Sequence, residues 1–445
     1  MPRNLTATVL FAASFVVAPA LAAQRADSAD AARSHYRQAR SALAANDNEL
    51  GFQEAVLAVS AWPRQGVYWR FLARVAATTG HSDEALAALD ATTAMGFDWL
   101  PGDSLWTSLR SDPRFGTLVQ RAAAAIAPIA ASTVAATLPK WFEHAEGVAY
   151  DSRTGRRFVG SVRQRTIVVI DNVGLVRDFV TNQSEPRLYA VFGMAADAQE
   201  RVLWVTTSAM KEQEGGVAAD SGVSELRAYH LDNGRILGRW RLPAGAPHCL
   251  GDVVLGPDGA AYATDSCEPH IYRATINGEL TPLRATHRDW RNLQGIAFAP
   301  DGCTAWVADW TTGLYRIDLV RQLVTPVAAD PRLVTLGIDG VYWGGNNSLI
   351  AIQNGVSPAR VVRLTLNEAG KTVERLDVLD RHPSASEPSL GVVLHDALIY
   401  VANSSWSNYT GDGTPAGPFE PQILLKLPVR GLRPAAKLTG TPSCS

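Results

Sequence analysis

Hydrophobic and polar residues alternate with a period of two through most of the chain after His144, and one alternating unit recurs six times. Each unit holds an apolar strand that starts beside Gly or Asp, a polar turn and a second apolar strand. The units are spaced by roughly 45 to 60 residues, the range of four-stranded propeller blades. They read EGVAYDSRTGRRFVGSV, FGMAADAQERVLWVTTS, GDVVLGPDGAAYATDS, QGIAFAPDGCTAWVADW, DGVYWGGNNSLIAIQNG and LGVVLHDALIYVANS. The pattern predicts a mainly β fold with a six-bladed β-propeller over residues 142–445.

Between residues 26 and 127 the hydrophobic period changes to about 3.6, which predicts an α-helical domain. The stretch RFLARVAATTGHSDEALAALDATTAMGF resembles a tetratricopeptide helix pair, with small residues at the helix contact and a Gly at the turn. About two such repeats fit, fewer than the three usually needed for independent stability. We therefore expect the helices to pack on the propeller or on a protein partner, as a cap or as a peptide-binding groove. The Ala- and Pro-rich residues 128–141 are the predicted linker, part of which would add an outer strand to the ring.

The first 23 residues have the features of a secretory signal: Arg3, a short apolar run, and Ala20-Leu21-Ala22 before the expected cleavage point. An uncleaved anchor is the alternative, although the apolar run is short for a spanning helix. The sequence thus predicts a periplasmic or secreted protein with no membrane span after signal removal.

An exported chain can hold disulfides, and this one has four cysteines. Cys249 and Cys267 lie at neighbouring points of a predicted hairpin, so we expect a bridge between them. Whether Cys303 and Cys444 meet is left open.

The formal net charge is −2, and 19% of the residues are charged with no long run of one sign. Phosphate binding needs a basic stripe, so a nucleic-acid partner is not expected. The expected partner at the propeller is a small-molecule substrate or ligand at the channel mouth.

Acidic and amide side chains stand where the predicted inner strands begin, and these positions converge on the channel axis. Carboxylates gathered at a narrow mouth repel one another unless a cation lies among them, and hard oxygen ligands suit Ca²⁺. The alternative is that these residues cap turns and bind exposed backbone amides. The predicted metal ligands are Glu146, Asp252, Gln294 and Asp339.

From His144 to Leu427 the blade pattern resembles the regucalcin/gluconolactonase family and, more distantly, strictosidine synthases and paraoxonases, all six-bladed propellers. The resemblance implies a divalent ion over the channel, held by a Glu, middle-blade Asn residues and an Asp. Glu146-Gly147 and Asp339-Gly340 match the Glu and the Asp. The sequence departs from the family in having Gln294 and Gly251 where the family has Asn.

The resemblance implies a metal-dependent hydrolase of lactones or small esters, and the N-terminal signal predicts that it is exported. Asp339 is the family-matched general base, and His248 is a second catalytic candidate because its ordinary pKa lies near neutrality. The alternative for His248 is a rim histidine bound to a loop. The alternative for the whole protein is a non-catalytic binding scaffold, with Phe192 or Tyr189 plugging the channel.

Overall fold

A computed structural model, described for residues 28–216 and 218–434, contains a helical region followed by a six-bladed β-propeller. The predicted signal segment and Cys444 lie outside the described residues. The chain divides into two compact units after Pro63, within the expected helical domain. The α-helices are α1 (Ala29–Ala44), α2 (Asn48–Ala61), α3 (Gly66–Thr79), α4 (Ser82–Ala94) and α5 (Pro113–Ile126), with a 3₁₀ segment at Ser104–Leu109.

In the first unit, α1 and α2 pack against each other, and both begin at side-chain caps. The hydroxyl of Ser28 accepts the amide hydrogen of Ala31, and the Asp47 carboxylate accepts that of Leu50. These caps satisfy backbone donors that have no partner inside the helix. Among the described residues, no helix of the chain is long and apolar enough to cross a membrane.

In the second unit, α3 packs on α4, and the turn between them depends on a glycine. Gly80 caps α3 with φ 85°, a left-handed conformation that costs glycine little. Helix α5 begins at Asp112, whose carboxylate accepts the amide hydrogen of Arg114. The indole of Trp99 packs edge-on against Trp106 at 5.5 Å, and this aromatic contact helps to fill the core of the helices.

The propeller consists of six sheets, and in each sheet the main strands are antiparallel and follow one another in chain order from the channel outward. The first three blades are β2 (Ala145–Tyr150), β3 (Arg157–Ser161), β4 (Thr166–Ile170), β5 (Val176–Val180); β6 (Ala190–Asp197), β7 (Val202–Ser208), β8 (Ser224–His230), β9 (Ile236–Arg241); and β10 (Leu250–Leu255), β11 (Ala261–Asp265), β12 (His270–Ala274), β13 (Thr281–Pro282). The last three are β14 (Leu293–Phe298), β15 (Thr304–Asp309), β16 (Gly313–Asp318), β17 (Leu323–Pro326); β19 (Ile338–Gly345), β20 (Ser348–Gln353), β21 (Arg360–Leu366), β22 (Thr372–Asp380); and β23 (Gly391–Leu394), β24 (Ala397–Val401), β25 (Ile423–Pro428). The predicted fold class, a propeller preceded by helices, is confirmed.

Two additional short strands complete the outer edge of the ring. Strand β1 (Thr133–Thr137), within the stretch expected to be a linker, pairs antiparallel with β25 and becomes the outermost strand of the sixth blade. Strand β18 (Ala328–Ala329) pairs parallel with β22 in the fifth blade. The pairing of β1 with β25 closes the propeller, and apolar side chains packed between adjacent sheets form its core. The predicted Cys249–Cys267 disulfide is present, with the two Cα atoms 5.2 Å apart.

Five of the six inner strands share a bulge near their start. In each, pairing with the second strand is interrupted for two residues: Glu146-Gly147, Phe192-Gly193, Gly251-Asp252, Gln294-Gly295 and Asp339-Gly340. A bulge redirects a side chain and bends its strand. At Gly193, an added Cβ would lie 2.6 Å from the amide nitrogen of Val253, so glycine permits neighbouring inner strands to approach closely.

At the far end of β2, a buried ion-pair cluster ties the first blade to the second. Both carboxylate oxygens of Asp151 accept hydrogen bonds from the guanidinium of Arg201, at 2.9 and 2.8 Å. The cluster also includes Asp232, bound by Arg156 at 2.9 Å and by Arg201. A bidentate, buried arrangement of this kind fixes the two blades against each other.

Candidate functional site

Glu146 and Asp339, from the first and fifth blades, are buried at the start of the channel and influence each other electrostatically. Oε2 of Glu146 accepts a hydrogen bond of 3.0 Å from the indole of Trp406. Burial raises the pKa of Glu146 well above its ordinary value, and the charges of Asp339 and Glu387 raise it further. The structure therefore brings these two predicted ligands into one environment of negative potential.

Asp339 is oriented by the side-chain amide of Asn354, which directly follows the next strand, β20. Oδ2 of Asp339 accepts a hydrogen bond of 2.7 Å from Nδ2 of Asn354, whose Oδ1 in turn accepts one of 2.9 Å from the Trp310 indole. Burial, followed by the charge of Asp252, raises the pKa of Asp339 to about 7, against the lowering effect of the Asn354 hydrogen bond. A carboxyl group with this pKa has the proton affinity that a general base needs near neutral pH.

Asp252, a predicted metal ligand, lies one residue further along its strand than Glu146 and Asp339 lie along theirs. Its place in the bulge corresponds to Gly147 and Gly340, whereas Gly251 corresponds to Glu146 and Asp339. Oδ1 of Asp252 accepts the amide hydrogen of its neighbour at 2.8 Å, while Oδ2 is buried without a partner. Burial raises the pKa of Asp252 to about 6.

Gln294 fills part of the space that Gly251 leaves. Its Nε2 donates to Oδ1 of Asn292 at 2.5 Å and to the hydroxyl of Ser266 at 3.4 Å. Its Oε1 would lie 3.5 Å from a Cβ added at Gly251. The longer amide side chain is thus held between the third and fourth blades with its nitrogen already engaged.

His248 belongs to a different hydrogen-bond network. Its Nδ1 lies 2.6 Å from Oδ2 of the buried Asp265, whose Oδ1 accepts the amide hydrogens of Cys249 and Cys267 beside the disulfide. Within residues 28–216 and 218–434, no hydrogen bond or ion pair joins His248 to the other predicted site residues. The structure does not bring this second catalytic candidate together with Asp339 by any direct polar contact.

A rim loop, residues 405–421 of the sixth blade, contributes groups that the inner-strand pattern did not reveal. Its Trp406 covers Glu146 and stacks on Phe192 with ring centroids 6.1 Å apart, while Tyr409 is 2.8 Å from Nδ1 of the buried His144. The loop also meets the second blade, because Nζ of Lys211 donates to the carbonyl of Gly411 at 2.6 Å. Trp406 follows the sixth repeat unit in the sequence, so the signal for this cover lay outside the blade pattern.

The chemistry of the mouth fits an oxygen-liganded divalent cation. The charge of Asp339 acts on Glu146, the charge of Asp252 acts on Asp339, and one oxygen of Asp252 is buried without a hydrogen-bond partner. No group of three or more His, Cys, Asp or Glu side chains in the described part of the chain is arranged to hold an ion. A cation site would therefore need amide oxygens beside the carboxylates of Glu146 and Asp339, and the predicted ligand Gln294 would supply one, because its hydrogen bonds engage only its nitrogen.

No family model and no curated protein matches the chain by sequence. Among solved structures, it is similar to a gluconolactonase from Xanthomonas campestris, with 16% identity, a TM-score of 0.43, and coverage of 69% of this chain and 93% of that one. It is also similar to a luciferin-regenerating enzyme (11% identity, TM-score 0.48, 69% and 100% covered) and to virginiamycin B lyase from Staphylococcus aureus (14%, 0.44, 64% and 80%). At TM-scores below 0.5, these similarities assign no activity to the chain.

Proposed function

We propose that this protein is an exported, metal-dependent hydrolase of lactones or small esters that acts at the channel mouth. The observation that carries the proposal is a set of three buried carboxylates, Glu146, Asp252 and Asp339, with no cationic side chain paired to them among the described residues. Buried charges are ordinarily paired or bound to metal. Perturbed acids gathered in a cleft are typical of functional sites.

Glu146 and Asp339, with the amide oxygen of Gln294, are the residues that would hold Ca²⁺ or another oxygen-preferring ion. When bound, the ion would polarise the carbonyl of the ester and acidify a water molecule. Asp339 would take the proton of the attacking water on its carboxylate, and Asn354 holds that carboxylate through its 2.7 Å hydrogen bond.

The rim aromatics would bind the substrate and exclude bulk water. Trp406 lies over Glu146, and Trp310, with 40% of its surface exposed, is tethered to Asn354. Exposed aromatic faces beside polar groups suit a sugar ring, which presents C–H groups on its face and hydroxyls at its edge. Export is supported by the N-terminal sequence and by the Cys249–Cys267 disulfide, since such bonds persist outside reducing compartments.

The first experiment is thermal unfolding of the mature protein after chelation, with Ca²⁺, Mg²⁺, Mn²⁺ or Zn²⁺ then restored. An ion that binds only the folded state raises the midpoint with concentration. We expect a saturable rise with one ion that is absent in Glu146→Gln and retained in Asp178→Asn, a control on the exposed outer strand of the same blade. No response to any ion would contradict the metal site.

The second experiment tests catalysis directly with a panel of sugar lactones and aryl esters. In Asp339→Asn we expect kcat to fall by about 1000-fold, because the amide cannot accept the proton of water. Undiminished turnover in that variant would remove Asp339 from the mechanism.

A non-catalytic binding scaffold is the second candidate function, with a small ligand at the mouth and a protein partner at the helices. The stacking of Trp406 on Phe192 over Glu146 favours it, because these rings cover the mouth. A scaffold would bind a ligand at the rim, but no ion would raise its unfolding midpoint and no lactone or ester would be hydrolysed.

A further inference from the structure

Two arginines of the fifth blade are buried close to each other beside the mouth. Arg360 stands at the start of β21 and is 4% exposed, and Arg381 directly follows β22 and is 7% exposed. Burial lowers the pKa of both guanidinium groups, and the charge of Arg381 lowers that of Arg360 further. Two positive charges in one poorly solvated region repel each other.

The hydrogen bonds of these arginines go to neutral groups. Nε of Arg360 donates to Oε1 of Gln353 at 2.7 Å, and Nη1 of Arg381 donates to the carbonyl of Ala127, just past the end of α5. Nε of Arg381 is buried without a partner, and neither arginine forms an ion pair with a carboxylate in the described residues. The Ala127 carbonyl satisfies one hydrogen-bond donor of Arg381, but it carries no full negative charge to balance the guanidinium. Burying an uncompensated ion costs several kcal/mol.

A cavity of about 530 Å³ opens where Arg381 lies, next to the candidate site. Its lining is shared with the mouth through Asn354, which binds Asp339, and through Glu387, whose charge acts on Glu146. The carboxylate of Glu387 also lies on this wall, where it accepts hydrogen bonds of 3.1 Å from the amide and from the hydroxyl of Ser407. His382, Ser386 and Ser407 add polar groups to the wall. The cavity is therefore placed to hold a remote part of any molecule whose reacting group occupies the mouth.

We propose that this cavity binds the carboxylate of an acidic sugar, so that the preferred substrates are lactones that carry a second, ionised carboxyl group. The inference rests on the proposed function for the position of the lactone ring at the mouth. Arg381 would be the specificity-determining residue. The carboxylate of the sugar would be the counter-ion that its guanidinium lacks, and a guanidinium can bind a carboxylate with two parallel hydrogen bonds. A neutral sugar would leave Arg381 without a counter-ion, whereas Arg360 lies outside the cavity lining.

The test is isothermal titration calorimetry of the full mature chain with D-glucuronate and D-glucose, after chelation and removal of the chelator. The two sugars differ only in the carboxylate at the end remote from the ring carbon that reacts in a lactone. We expect saturable binding of glucuronate and at least tenfold weaker binding of glucose. Arg381→Gln should weaken glucuronate at least tenfold, and Arg381→Lys, which keeps the charge, by less than Arg381→Gln.

A second pair of variants keeps the test valid if Arg381→Gln fails to fold. Ser386 is exposed on the cavity wall, so Ser386→Asp adds a negative charge there without disturbing the core, and Ser386→Asn is its neutral match. We expect Ser386→Asp to weaken glucuronate at least tenfold and Ser386→Asn to leave it within threefold. Arg363→Gln, on the same strand as Arg360 but outside the cavity lining, controls for overall charge and should also stay within threefold.

Equal affinities for the two sugars would overturn the inference, as would equal losses in Ser386→Asp and Ser386→Asn, or in Arg381→Gln and Arg363→Gln. Its failure is distinguishable from failure of the hydrolase proposal. Selective glucuronate binding without any lactone turnover would support the cavity and reject the enzyme. Turnover of neutral and acidic lactones at equal kcat/KM, unchanged in Arg381→Gln, would support the enzyme and reject the cavity.

Discussion

Glu146 and Asp151 belong to the same short stretch of chain, one near the start of β2 and the other just past its end, and their carboxylates are in opposite environments. Both are buried, with 6% and 0% of their surface exposed. Asp151 is bound by Arg201, Thr154 and a backbone amide, and these hydrogen bonds outweigh burial and hold its pKa well below the ordinary value. Glu146 has one indole donor, and burial, followed by the charges of two acidic neighbours, raises its pKa.

Asp151 is a carboxylate that stabilises the fold through an ion pair, whereas Glu146 is a carboxylate that the fold buries without one. Pairing Asp151 with Arg201 repays the cost of burying the charge. Leaving Glu146 without a counter-ion costs stability, and proteins accept such costs mainly at functional sites. The comparison predicts that substitutions at the two ends of β2 act in opposite directions.

The largest effect is expected at the paired end. Asp151→Asn should lower the free energy of unfolding by about 3 kcal/mol, because the Arg201 guanidinium, only 15% exposed, keeps the half-exposed Asp232 as its one remaining carboxylate partner among the described residues. Guanidinium chloride unfolding at pH 7 measures the change, with Asp178→Asn as the exposed control. A loss below about 1 kcal/mol would mean that the ion pair does not stabilise the ring and would break the comparison.

The acid dependence of stability should follow the same ion pair. Because the folded-state pKa of Asp151 is lowered, its contribution is fully present above the unfolded pKa of roughly 3.9 and is lost as the pH falls from there toward the folded value. We expect wild type to lose on the order of 2 kcal/mol more than Asp151→Asn below pH 4. Unfolding curves between pH 2 and 5 test this, and parallel losses in both proteins would contradict it.

The smallest effect is expected at the mouth, and it has the opposite sign. Glu146→Gln keeps the shape and the acceptor for the Trp406 indole but removes a carboxylate from a region of negative potential. In ion-free buffer at pH 8, we expect the free energy of unfolding to rise by about 1 kcal/mol. A loss of more than 1 kcal/mol would show that Glu146 is a structural residue like Asp151.

The repeat pattern predicted the ring well because each blade carries its own local signals. Alternating strands, Asp-Gly turns and the spacing of units gave six sheets, and the position of two cysteines in one hairpin gave the Cys249–Cys267 bridge. These features depend on residues that are close in sequence, and such local patterns can be read from one amino-acid sequence.

The site was less predictable because its geometry depends on bulges and on distant loops. The dipeptide order Gly251-Asp252, inverted relative to Glu146-Gly147 and Asp339-Gly340, was the signal that Asp252 occupies a different bulge position. The hydrogen-bond partner of Asp339, Asn354, lies 15 residues away in sequence, just after β20. The Arg360 and Arg381 pair gave no signal, since arginine is usually a surface residue.

The pairing of β1 with β25 has a consequence for biosynthesis. Glu146 belongs to the first blade, but the indole above it and the Ser389 hydroxyl that donates to its backbone carbonyl both belong to the sixth. The mouth is thus assembled across the seam that closes the ring. A nascent chain that has emerged only as far as the fifth blade carries Glu146, Asp252 and Asp339 without the side chains that cover them. The complete mouth therefore forms only when the sixth blade joins the first.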